Sequence, residues 1–118
     1  MPTVISVGTD EQLLSLREAV LRSAGFHVLT ACDPREALRH AGRNSAAVLL
    51  LCYSLPLTVR QELAKQFRSH SPSGRIVAIT NEPQKRPPIE ADAFLYGIEG
   101  PEALIRACRG DELTTLAS

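Results

Sequence analysis

Five short apolar runs punctuate the chain, with amphipathic or polar stretches between them. Residues 3–7 (TVISV), 26–31 (FHVLTA), 46–52 (AAVLLLC), 75–80 (RIVAIT) and 93–96 (AFLY) lack the polar alternation of half-exposed strands and predict strands buried on both faces. The intervals read as helices. Thr9 followed by Gln12 has capping-box spacing, so a helix begins near Asp10, with Leu13, Leu16, Val20 and Ala24 at helical spacing and Gly25 as its stop. Asp33-Pro34-Arg35-Glu36 supplies an acidic cap, a proline at the first helical position and an acid at the third, predicting a helix to about His40. Residues 58–67 (TVRQELAKQF) place Val59, Leu63 and Phe67 on one helical face, and Gly100-Pro101-Glu102 opens a last helix that runs to about Arg109 and closes at Gly110.

Strict alternation of strand and helix predicts an α/β fold: a five-stranded parallel sheet in the flavodoxin-like order 2-1-3-4-5, with helices on both faces. One connection departs from the pattern. Residues 81–92 (NEPQKRPPIEAD) hold Pro83, Pro87 and Pro88, and interior prolines break helices and push the preceding residue out of the helical region. A parallel crossover needs about a dozen residues, so the link can be made. Its helix, the fourth in such a fold, should be shortened or absent, with one turn at most over 88–91.

With 118 residues the chain fits one domain, read as 1–110 with a C-terminal tail at 111–118 (DELTTLAS). Thirteen basic residues balance thirteen acidic ones, so nucleic acid is not expected as a partner of the domain by itself. No apolar run approaches the ~20 residues that span a bilayer, and the opening MPTVISVG lacks a basic n-region. Cys32, Cys52 and Cys108 show no C-x-x-C spacing, which argues against a zinc site or a disulfide framework and for a reducing cytoplasm.

In sheets of this order, sites lie outside the carboxyl ends of the strands, at the switch point between strands 1 and 3. That corner would be built from Gly8, Thr9, Cys52 and Thr80. The stretches VISVGTDEQLLSLREAVLRSAGFHVLTACDPREAL, AVLLLCYSLP, IVAIT and ADAFLYGIEGPEALIRA resemble a bacterial response-regulator receiver domain across residues 3–110. The resemblance implies a role for each position. Gly8 and Thr9 stand where receivers carry an acidic pair that holds Mg²⁺. Cys52, fixed by the following Leu55-Pro56, stands at the phosphoacceptor aspartate. Thr80 keeps the switch hydroxyl, Phe94 matches the switch aromatic, and Gly97-Ile98 replaces a Lys-Pro pair.

One of five chemical residues therefore survives. Magnesium wants hard anionic oxygens, and a thiol is a poor ligand for it. Without metal and lysine, nothing offsets charge on a transferring phosphoryl group. Asp10 and Glu11 fall in a first helical turn, where acids are favoured anyway. The expectation is a degenerate receiver that is not an enzyme and has no catalytic residue, metal or cofactor. It would be a phosphorylation-independent interaction module in two-component or phosphorelay signalling. Its partner would be a histidine kinase, another receiver or an output protein, with a homodimer as a further assembly. The face beside strand 5 is the family's usual output surface, so Pro83, Pro87, Pro88 and Tyr96 are the candidate contact residues. Phe94 lacks the hydroxyl of a tyrosine and reads as core, and Thr80 reads as satisfying a local backbone group. The alternative is a redox- or ligand-responsive module using a pocket at Cys52, whose thiol would need a nearby cation or base to become reactive; a cysteine that simply fills space is the plainer reading.

Overall fold

The computed structural model describes residues 2–43, 45–82, 86–97 and 99–110. Nine elements follow in chain order: β1 (Thr3–Val7), α1 (Glu11–Ser23), β2 (His27–Ala31), α2 (Pro34–Arg43), β3 (Val48–Leu51), α3 (Leu57–His70), β4 (Arg75–Thr80), β5 (Ala93–Tyr96) and α4 (Pro101–Arg109). All neighbouring strand pairs are parallel, in the order β2-β1-β3-β4-β5. The sheet order and the alternating layers match the expectation from the apolar pattern.

The strands are apolar on both sides because both sides are covered. On one face Ile5, Val7, Leu49, Leu51 and Ile76 pack with Ala37 and Ala41 of α2 and Leu63, Ala64 and Phe67 of α3. On the other, Val4, Val28, Leu50, Val77 and Ile79 pack with Leu21 of α1 and Leu104, Ala107 and Cys108 of α4. Val48–Leu51 is buried at every position, as its unbroken apolar run requires.

Local chemistry sets the element ends, sometimes a residue away from the expected place. Asp10, not Thr9, caps α1: its Oδ1 accepts from the N–H groups of Gln12 and Leu13 at 3.0 and 3.2 Å. At α2 Glu36 N–H donates to the Asp33 cap, and the Glu36 carboxylate accepts from Cys32 N–H, one residue before the cap, both at 3.0 Å. That helix continues to Arg43, three residues past His40. Gly110 closes α4 at φ +86, a left-handed position that suits glycine.

The buried stripe of α1 is Leu14, Arg17 and Leu21. The run Leu13, Leu16, Val20, Ala24 that marked the helix in the sequence lies beside that stripe; Leu13, Val20 and Ala24 are half-buried and Leu16 is 62 % exposed. The helix is thus apolar over a wider arc than the sheet needs.

Among the described residues of the crossover, 81–82 and 86–92, no helical turn forms, and the turn expected over 88–91 is absent. Instead Ile89 N–H donates to Pro87 O across one residue at 2.7 Å. Ile89 is buried in the α2/α3-face core, and Ala91 packs at its edge. Polar bonds hold the chain down. Gln61 Nε2 of α3 donates to Pro88 O at 2.8 Å. Arg68 pairs with Glu90 at 3.2 Å and with Asp92 at 2.9 Å. Asp92 also accepts from Ile76 N–H at 2.7 Å, while its own N–H donates to Ile76 O at 2.8 Å.

Candidate functional site

The carboxyl ends of β1 and β3 meet in close packing. Cys52 N–H donates to Val7 O at 3.0 Å and Gly8 N–H to Ala31 O at 3.2 Å, so the parallel ladder runs one residue past each strand. A Cβ added to Gly8 would sit 2.9 Å from Cys52 Cβ and 3.6 Å from its Sγ. Gly8 is therefore the residue that lets Cys52 fold inward, and Cys52 is only 1 % exposed. The two positions where the family would place carboxylates are filled by each other's packing.

Above this pair the next residues form a clasp. Thr9 N–H donates to Ser54 Oγ at 3.0 Å, and Thr9 Oγ1 approaches Ser54 O at 3.5 Å. Asp10 turns away from the corner to cap α1. Thr80 is buried and donates to Glu82 O at 3.1 Å, the local backbone role expected of it. Gly97 N–H returns to Thr80 O at 2.9 Å, closing the ends of β4 and β5 together. A Cβ at Gly97 would stand 3.4 Å from Thr80 O and 3.6 Å from the Tyr53 ring, ordinary contact distances, so sterics do not exclude a side chain there.

The donor set does not fit a hard divalent cation. Gly8 contributes no side chain, Thr9 and Thr80 offer neutral hydroxyls engaged elsewhere, and Cys52 offers a packed thiol. Among the described residues no group of three or more His, Cys, Asp or Glu side chains could hold a metal. The buried Cys52 also has no histidine at hand: His40 bonds Thr30 O, His70 bonds Gln66 O, and His27 is exposed at the start of β2. The thiol of Cys108 is buried in the α4 core, away from this corner. Desolvation pushes it up to about 12, only partly offset by the charge of Arg75.

The remaining sequence candidates lie around β5. Phe94 is half-buried and outside both cores, contrary to expectation; the Arg86 guanidinium lies 5.4 Å from its ring centroid. Pro88 is exposed and Pro87 half-buried, so the described part of the proline segment does present surface; Pro83 and the 111–118 tail lie outside the described residues. Tyr96 is half-buried, and its N–H donates to the Glu99 carboxylate at 2.7 Å. Three further participants carry no signal in the sequence. Ser54 clasps Thr9 from 45 residues away. Tyr53 lies over Gly97. Arg60, whose Nε is buried without a partner among the described residues, lines a cleft with Thr80, Arg86 and Pro88.

Comparison with known proteins agrees with this architecture. No family model matches the chain. Over 56 residues, 48% of this chain, it is 39% identical to the transcriptional regulatory protein PrrA of Mycobacterium bovis and of Mycobacterium tuberculosis, and it spans about a quarter (24%) of the length of those relatives. The chemotaxis protein CheY4 of Vibrio cholerae superposes with a TM-score of 0.78 at 26% identity, covering 99% of this chain and 97% of that one. A CheY-like response regulator receiver domain protein from Methanospirillum hungatei superposes at 0.82 with 17% identity, over 99% and 98% of the two chains. The chain has the fold of the CheY-like response-regulator receiver domains and resembles a response regulator in sequence over about half its length.

Proposed function

We propose that this receiver works as a non-enzymatic protein-interaction module whose output does not depend on phosphorylation at the end of β3. The observation that carries the reading is the contact between positions 8 and 52. Where the resemblance implies a metal-binding acid and a phosphoacceptor, a glycine and a buried thiol pack so closely that a Cβ at position 8 would fall 2.9 Å from Cys52. Among the described residues no histidine stands beside this thiol as a base, which weighs against the redox alternative. Partners that recognise receivers, such as a histidine kinase or another receiver, would meet an output flank altered by the crossover, with Pro87, Pro88 and the Arg86–Phe94 stack at its surface.

Incubation with acetyl phosphate and Mg²⁺, followed by intact-mass measurement, tests the proposal. The expected result is an unchanged mass. A stoichiometric gain of one phosphoryl group on the folded chain would overturn it.

A further inference from the structure

The second apolar edge of α1 has a counterpart across a groove. Leu13, Leu16 and Val20 face Leu95 of β5 and Leu104 of α4 around a cavity of about 140 Å³ that opens to solvent. Its lining is apolar with one exception. Arg17 lies in the groove, only 8 % exposed, on the buried stripe of α1 between Leu14 and Leu21. Its guanidinium has no hydrogen bond or ion pair among the described residues. The carboxylate nearest in sequence, Glu18, is paired with Arg22 at 2.8 Å. The stem is buried and the guanidinium nitrogens reach solvent at the groove rim, so an anion entering the groove meets an unpaired cation and gains a charge-assisted bond. A second feature points the same way. Gly100 and Pro101 line the groove at the start of the nine-residue α4, whose N-terminus carries no side-chain cap.

We propose that the α1/α4 groove is a binding site for a small monocarboxylate with an apolar body about the size of one aromatic ring. The carboxylate meets Arg17 and the α4 N-terminus, and the body fills the space between Leu13, Val20, Leu95 and Leu104. The volume supports a small molecule: an engineered apolar cavity of about 150 Å³ takes up benzene. The groove borders the Cys52 corner at Gly97 but does not depend on the role proposed for that corner.

The test uses the full chain with benzoate and its neutral analogue benzamide, followed by amide chemical shifts and thermal unfolding. Benzoate should saturate, with shifts concentrated on residues 13–20 and 95–104. At ten times its Kd it should raise the midpoint by about 5 °C. Benzamide should bind at least tenfold more weakly. In Arg17→Met, which keeps the volume and removes the charge, benzoate should lose its advantage over benzamide. Equal binding of the two on the unmodified chain would overturn the proposal whether or not that variant folds. So would benzoate shifts centred on Arg60 and Thr80, or no saturable shift at millimolar benzoate.

Discussion

Two regions of this receiver-like fold depart from what the resemblance implies, and they depart in opposite ways. At the β1/β3 corner the backbone is kept and the chemistry is replaced: strands, ladder and the Leu55-Pro56 turn are in place, while Gly8 and Cys52 close the space between them. At the β4–β5 crossover the described backbone is not helical, yet the physical job of a helix is still done. Ile89 reaches the core and Arg68, Asp92 and Gln61 fasten the chain to the sheet. A fold tolerates loss of a reactive group where packing fills the space. It tolerates loss of a helix where one apolar anchor and a few polar bonds replace the covered surface.

The comparison breaks first at Cys52. Placing an acid there by Cys52→Asp buries a carboxylate against Gly8 and should lower stability by about 4 kcal/mol without giving phosphorylation. Urea unfolding together with the acetyl-phosphate assay checks both parts. A stable, phosphorylated variant would mean that the corner is open rather than filled. At the crossover, Ile89→Ala should remove about 3 kcal/mol if that side chain truly stands in for a helix. A loss below about 1 kcal/mol would show the crossover to be merely laid over the surface.

The smallest effect sharpens the crossover alone. Burial pushes the Asp92 carboxyl up, but the Arg68 and Ile76 N–H bonds, with the charges of Arg68 and Arg75, outweigh it, and the group sits below its ordinary value of 3.8. A carboxylate whose pKa is depressed by folding stabilises the fold above its unfolded pKa. That contribution is lost as pH falls through the folded value. The crossover should therefore hold unchanged from pH 7 to 5 and weaken below about pH 4. Asp92→Ala should cost about 1 kcal/mol at neutral pH and flatten that acid limb. Thermal midpoints of both proteins across pH 2–7 provide the check.

Much of the fold was legible because burial on both faces leaves an unmistakable record. RIVAIT and AFLY mark β4 and β5 to the residue, and Gly100-Pro101 and Gly110 mark α4. Less legible was which edge of α1 faces inward. Leu13, Leu16, Val20 and Ala24 satisfy helical spacing as well as Leu14, Arg17 and Leu21 do, and an arginine hides the true stripe. Phe94 reads as core because aromatics usually are, and only the register of a short edge strand puts it beside Arg86. The positions at the Cys52 corner were legible through the resemblance. Their closure was not, because the fit of Gly8 against Cys52 is a matter of tenths of an ångström between strands far apart in sequence.

The Thr9–Ser54 clasp bears on how this corner breathes. Thr9 is exposed, and an exposed loop amide ordinarily trades its hydrogen with solvent almost freely. Here the acceptor is a hydroxyl on the loop after β3, 45 residues away, so the amide is protected while the two loops stay together and the Ser54 side chain keeps its rotamer. Exchange at that one position, compared between the unmodified chain and Ser54→Ala, reads how far this clasp holds the corner and whether a docked partner pries it apart.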